Sequence, residues 1–211
     1  FELAWTHSQV VLRQIIATEV DAQLYGRIAS SIIFGNSFLR ADPSVIIKNR
    51  RGQSGLWGYS ISGDLPIVLL QIEDPDNINL VRQMVQAHSY WRLKGLPVDL
   101  VIWNEDHAGY RQLLQEQIMM LISAGVEANF IDRPGGIFVR QADQISNEDR
   151  ILIQTVARVI ISDQRGTLEE QVNHLRIVEI PVRRFKPIRT SHTHHQDDSV
   201  LPRNDLIFFN G

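Results

Sequence analysis

Cysteine is absent from the 211 residues. That absence excludes disulfides, thiolate metal ligands and a cysteine nucleophile, and it fits any redox compartment. No apolar run approaches the roughly 20 residues that a spanning helix requires. The opening FELAWTHSQV also lacks the basic-then-apolar order of a signal peptide. The sequence therefore predicts neither a membrane segment nor export. A strong charge of either sign is missing too. With 21 Lys and Arg against 24 Asp and Glu, the formal net charge is -3, which offers no electrostatic ground for nucleic acid as the main partner. Neither a Walker loop nor GxGxxG occurs, and no repeat with a period of about 20–50 residues marks a solenoid. No Ser-His-Asp order, zinc spacing or paired-carboxylate spacing can be established from the sequence. No catalytic residue, cofactor or metal is assigned.

What is present is a globular composition, 44% hydrophobic and 21% charged, in a length that suits one large domain or a domain with trimmings. The alternating Phe1, Leu3 and Trp5 at one end and Phe208-Phe209-Asn210-Gly211 at the other read as an excised piece of a longer protein. Apolar Val11, Ile15, Leu24, Ile28 and Ile32 predict one or two amphipathic helices within 8–34, ended near Gly35-Asn36. Asp42-Pro43 predicts a short helix to Lys48.

Leu65 to Ile72 reads as a strand covered on both faces, with Pro66 tolerated at its start. Leu80, Val81, Met84, Val85 and His88 mark the inward face of a helix that Gly95-Leu96-Pro97 stops. Val98 to Trp103 is a second strand, and Tyr110 to Ala124 a helix with Leu114, Ile118, Leu121 and Ile122 inward. Ala128 to Ile131 and Ile137 to Arg140 are expected strands around Pro134-Gly135-Gly136. Ser146 opens a helix with Leu152, Val156 and Val159 or Ile160 inward, and Thr167 opens another to about Leu175. Further strands are expected at Ile177 to Ile180 and Leu206 to Phe209, separated by a linker containing Pro181, Pro187 and Pro202. Parallel neighbours need crossover helices. The alternation therefore specifies an α/β fold, a Rossmann-like three-layer βαβαβ core with a mainly parallel sheet, preceded by N-terminal helices and followed by a linker and strand. The expected division is 1–52 for the N-terminal strand and helices, 53–176 for the α/β core, and 177–211 for a linker and strand leading into a following domain.

The loop SGLWGYSISGD precedes a strand, whereas phosphate loops follow a strand and open a helix. Turn chemistry accounts for Gly58, Gly63, Ser62 and Asp64. Trp57 and Tyr59 offer faces that suit packing or a sugar ring. Asn104, Glu105 and Asp106 follow the second strand, on the side where ligands of open α/β sheets gather. These types serve a metal, sugar hydroxyls, or the cap of the next helix. His192, His194 and His195 with Asp197 and Asp198 carry metal-donor types within a stretch of linker composition. His88 is expected as a satisfied core histidine, while Tyr90, Trp91 and Arg92 pack or form a surface. Arg183, Arg184, Lys186 and Arg189 form a basic cluster that is either solvated or suited to phosphate or an acidic surface.

QSGLWGYSISGDLPIVLL, VRQMVQAHSYWRLKGLPVDLVIWNE and GGIFVRQADQIS resemble cyclic β-1,2-glucan synthases and the related glycoside phosphorylases of glycoside hydrolase family 94, formerly glycosyltransferase family 36. The likeness runs from the helix around Leu24-Tyr25 to Gly166-Thr167-Leu168, and NDLIFFNG is similar to the lead into a β-sandwich of those enzymes. The resemblance implies phosphorolysis or transfer at β-glucosidic bonds by an (α/α) barrel with a carboxylic general acid, phosphate being the nucleophile in true phosphorylases. No barrel segment is recognised in this chain. The resemblance thus implies a non-barrel segment between sandwich portions, upstream of the barrel, with no catalytic residue to carry over. It implies an accessory module of a β-1,2-glucan-processing enzyme, with Trp57, Tyr59, Ser62, Asp64, Asn104, Glu105 and Asp106 as candidate glucan contacts. Its expected partners are other domains of the same polypeptide, and its expected place is the cytoplasm, in a parent associated with the inner membrane. Two other readings stay open: an independent nucleotide-sugar or phosphate-binding enzyme of Rossmann-like shape, and a purely structural interaction domain.

Overall fold

Residues 9–106 and 111–173 are described by the computed structural model. Four short apolar runs form the sheet: β1 (Ile67–Ile72), β2 (Asp99–Asn104), β3 (Ile137–Gln141) and β4 (Val159–Ser162). The helices are α1 (Glu19–Phe34), α2 (Pro43–Ile46), α3 (Ser54–Trp57), α4 (Ile78–Leu93), α5 (Arg111–Ser123), α6 (Asn147–Val156) and α7 (Leu168–Asn173). All strand pairs are parallel and the order is β3-β2-β1-β4, with Leu69 of β1 opposite Val101 and Ile160.

A strand's side chains alternate between faces, so a strand with apolar residues on every position needs cover on both sides. One face sends Val68, Leu70, Ile102 and Ile161 into a core with Ile28 of α1, Met84 of α4 and Ile118 of α5. The opposite face packs Leu69, Trp103, Phe138 and Ile160 against Leu56 of α3 and Leu152 of α6. The expected α/β class with a parallel sheet therefore stands. Helix α1 lies in the same core as the sheet and touches α4, α7 and β4, filling the face beside β4 that no crossover helix covers.

One expected strand and one expected helix end are corrected. Ala128 to Ile131 is not a strand: Ala128–Phe130 forms a 3-10 turn, and Ile131 contributes a lone bridge to Ile137. Asp132 follows with φ +54°, which turns the chain before a ladder can extend. Val159 and Ile160 do not continue the preceding helix. Helix α6 ends at Val156, Ala157 leaves helical geometry, and the Arg158 N–H donates to the Ile67 carbonyl, starting β4. A short apolar run has no period that separates a buried strand from a helix end, and β-branched side chains fit the strand. The sheet thus gains a strand that the spacing had assigned to a helix face.

The outer edge of β4 is closed at Ser162 by a side chain. The Gln171 Oε1 accepts from the Ser162 N–H at 3.1 Å, and Gln171 Nε2 donates to the Ser162 carbonyl at 2.8 Å. Gln171 thereby stands in for the next strand. It is positioned by the reciprocal Thr167–Glu170 capping box that opens α7. No helix among the described residues is long and apolar enough to cross a membrane. The expected strands at 177–180 and 206–209, the histidine group at 192–195 and the basic cluster at 183–189 lie outside the described residues, as does the alternating run at 1–5.

Candidate functional site

The loop before β1 is built around an unexpected helical turn, α3. Leu56 anchors it in the core, while Gly63 adopts φ +79°, where a Cβ would sit 2.9 Å from Gln53 Cγ and Leu56 Cδ1. Only glycine fits that backbone and that space. Gln53 Nε2 then donates to the Ser62 carbonyl at 2.8 Å and to Asp64 Oδ1 at 3.1 Å. Ser62 Oγ accepts from the Asp64 N–H at 3.2 Å, and the Trp57 indole N–H reaches the Ser62 carbonyl at 3.4 Å. Ser62 thus ties the loop to itself.

Tyr59 and Trp57 divide their work. The Tyr59 hydroxyl donates to Asp149 Oδ2 at 2.9 Å and its carbonyl accepts from Arg140 at 2.6 Å. Burial, then the bond to Asp149, pushes the phenol up from its ordinary value. Asp149 is also engaged by Ser146 and by Arg51, so Tyr59 belongs to a structural network. Trp57 is 64% exposed. It does not line the neighbouring crevice but shares the Ser62 carbonyl with Gln53, which does; that crevice, about 440 Å³ at the amino edge of the sheet, is lined by Asn49, Arg51, Gln53, Asp64 and Arg158 above the apolar Leu152. The arrangement joins an open aromatic face to amides, a carboxylate and guanidinium groups. Gln53, Asn49 and Arg158 were not singled out in the sequence. The polar run Asn49-Arg50-Arg51-Gly52-Gln53 ahead of Trp57 was the available signal for two of them.

Asn104, Glu105 and Asp106 lie at the opposite edge, separated from the Trp57 loop by the roughly 20 Å length of a six-residue strand. Asn104, the last residue of β2, accepts the Asp106 N–H at 3.1 Å. Glu105 donates its N–H to the Ile72 carbonyl and accepts from Gln71 Nε2 at 3.0 Å. The structure therefore gathers Trp57, Ser62 and Asp64 in one place and holds the Asn104 group in another.

The order of the strands creates a winding reversal between β1 and β4, the position where Rossmann-like sheets hold nucleotides. Here the turn after β1 is Glu73-Asp74-Pro75-Asp76-Asn77, without glycine. Its N–H groups face inward to a protein carboxylate: Asp163 Oδ2 accepts from the N–H of Glu73 at 3.0 Å, of Asp74 at 2.9 Å, and from Asn77 Nδ2 at 3.4 Å. Donors that would cradle a phosphate are thus spent on Asp163.

A buried ionic cluster lies beside the amino end of β2. His88 Nδ1 meets Glu127 Oε2 at 2.9 Å and His88 Nε2 meets the Val98 carbonyl at 2.9 Å. Arg92 donates to Glu127 Oε1 through Nε at 3.2 Å and an Nη at 2.9 Å. The satisfied core histidine is as expected, but its partner Glu127, fully buried, carried no signal in the sequence. Burial favours the protonated acid, yet the hydrogen bond and charge of His88, followed by Arg92, outweigh it and hold the Glu127 carboxyl down at about 2.

No protein-family profile matches the chain. Over 170 residues the chain is 29% identical to the cyclic β-(1,2)-glucan synthase NdvB of Rhizobium meliloti (strain 1021). That alignment covers 80% of this chain and 6% of the relative. The chain is thus similar to a small part of that glucan synthase.

Proposed function

We propose that this chain is an accessory α/β module of a β-1,2-glucan-processing polypeptide, and that it contacts glucan at the amino edge of its sheet. The observation that carries the contact is Trp57, 64% exposed beside the Gln53–Asp64 crevice. An indole left in water forgoes the burial that large aromatics ordinarily supply. Its face suits the C–H surface of a glucosyl ring, while the Asp64 carboxylate and the Asn49 and Gln53 amides suit hydroxyls. In this reading Trp57 is the platform, Asp64 and Gln53 are the polar contacts, and Ser62 and Tyr59 hold the loop. Glu105 would serve any contact at the other edge, Asn104 and Asp106 being buried. The module would be a non-barrel segment of a family 94 protein, divided at 1–52, 53–176 and 177–211, with bond chemistry performed by another domain of a parent at the cytoplasmic side of the inner membrane.

The similarity to a glucan synthase supports this reading. The nucleotide-sugar reading finds no comparable support, because the turn after β1 directs its N–H groups to Asp163. Calorimetric titration of the chain with linear β-1,2-glucooligosaccharides tests the proposal. Trp57→Ala should weaken binding at least about tenfold, the loss of one stacking contact with its hydrogen-bonding neighbours, while the melting temperature stays put. Equal affinity in a folded Trp57→Ala chain would remove the assigned contact.

A further inference from the structure

The turn after β1 leads into α4 and the turn after β4 into α7, and both helices pack in the core on the same face of the sheet. A crevice lies between these two connections, outside the carboxyl ends of β1 and β4. It measures about 350 Å³ and is lined by Asp76, Asn77, Asn79, Gln83, Thr167 and Glu170, within the volume range of ligand pockets, about 300–1,000 Å³. Leu80 and Leu168 give it a buried apolar base.

The chemistry of the lining narrows what it would take. Among the described residues no Lys, Arg or His lines it, and the carboxylates of Asp76, Asp163 and Glu170 repel a phosphate. Two of those carboxylates are already occupied. Asp163 receives three N–H groups, and the Thr167 N–H, bonded to Glu170 at 2.8 Å, holds the Glu170 carboxyl below its ordinary range. Among the described residues no group of three acidic or histidine side chains is placed to hold a metal ion. By contrast, the side-chain amides of Asn79 and Gln83 make no hydrogen bond to any described residue. Each offers a donor pair and an acceptor, the combination that a sugar hydroxyl, itself donor and acceptor, satisfies.

We infer that this crevice is a second carbohydrate contact, which takes a short neutral stretch of glucan through Asn79, Gln83 and Asp76. The inference rests on the glucan reading above, but it names residues at the opposite edge from Trp57, so the two fail separately. A polymer would meet both edges, whereas a single sugar ring meets one.

The test is amide-resolved NMR of the 211-residue chain titrated with linear β-1,2-glucooligosaccharides. Shifts are expected at Asn79, Gln83, Gly166 and Thr167 as well as at the Trp57 indole. The double variant Asn79→Ala with Gln83→Ala should lose the crevice shifts and weaken that contact about tenfold, the worth of one or two neutral hydrogen bonds, with the Trp57 shift retained. Shifts confined to the Trp57 edge, or a double variant that binds at the crevice like the parent chain, would overturn the inference and leave the glucan reading standing. Shifts at neither edge would overturn both. Crevice shifts produced by calcium chloride or inorganic phosphate, and not by the oligosaccharide, would also overturn it. Mapping the parent chain decides the outcome even where the double variant folds poorly.

Discussion

Glu127 shows how a single side chain couples packing to pH. Its carboxylate is fully buried, and the two ring nitrogens of His88 meet Glu127 on one side and the Val98 carbonyl on the other. The Glu127 carboxyl falls from 4.5 to about 2. A lowered folded-state value means stability that is fully present above 4.5 and is lost as pH falls through about 2. Glu127→Gln should cost about 3–5 kcal/mol near neutral pH, because Arg92 loses its buried counter-charge and His88 its carboxylate partner. Urea unfolding from pH 7 to 2 should show the gap between parent and variant shrinking in that acid window. A gap independent of pH would refute the ion-pair account. Glu127 lies 39 residues from His88, and no local spacing joins them. The inward place of His88 was legible from its neighbours at helical spacing, but the partner required the chain to fold. Trp57 makes the complementary case. Its exposed side chain should be worth less than about 0.5 kcal/mol in stability, so Trp57→Ala separates binding from folding in one denaturation curve.

Elements carry the next set of consequences. The α3 loop depends on Gly63, whose φ of +79° and contacts 2.9 Å from Gln53 and Leu56 leave no room for a methyl group. Gly63→Ala should lower stability by about 1–3 kcal/mol and shift the urea midpoint without changing its slope. A variant as stable as the parent would mean that the loop relaxes freely. At the other end of the domain, Gln171→Ala should leave the Ser162 N–H and carbonyl unpaired at the β4 edge, costing about 1–3 kcal/mol, and hydrogen exchange at Ser162 should accelerate. Unchanged protection there would contradict the strand-mimic role. The caps at Ser146 and Thr167 were readable because a capping box is a local pattern. Strand β4 was not, because Val159 and Ile160 fall at the helical interval from Leu152 and Val156, and only the parallel pairing to β1 separates the two states.

For the whole molecule, the placement of α1, α4, α5 and α7 on one face and α6 with α3 on the other sets where ligands can approach. The carboxyl edge meets solvent with Glu73, Asp74 and Asp76 after β1, Glu105 after β2, and Asp163 after β4, while Asp106 is buried. Nucleotide sugars and inorganic phosphate should therefore leave the thermal midpoint unmoved, whereas millimolar β-1,2-glucooligosaccharide should raise it. A shift with UDP-glucose and none with the oligosaccharide would reverse the functional assignment.

Strands β1, β2 and β3, the helices α4 and α5 between them, and with them the α/β class, were determined by the sequence alone, because turn residues, caps and apolar spacing act over a few neighbouring positions. Tertiary structure decided the fourth strand, the pairing of His88 with Glu127, and the separation of the Trp57 loop from the Asn104 loop. Those depend on which strand lies beside β1 and on all strands running in one direction. In a parallel sheet every loop before a strand opens at one edge and every loop after it at the other, so residues that suit one ligand chemically can stand a full strand length apart.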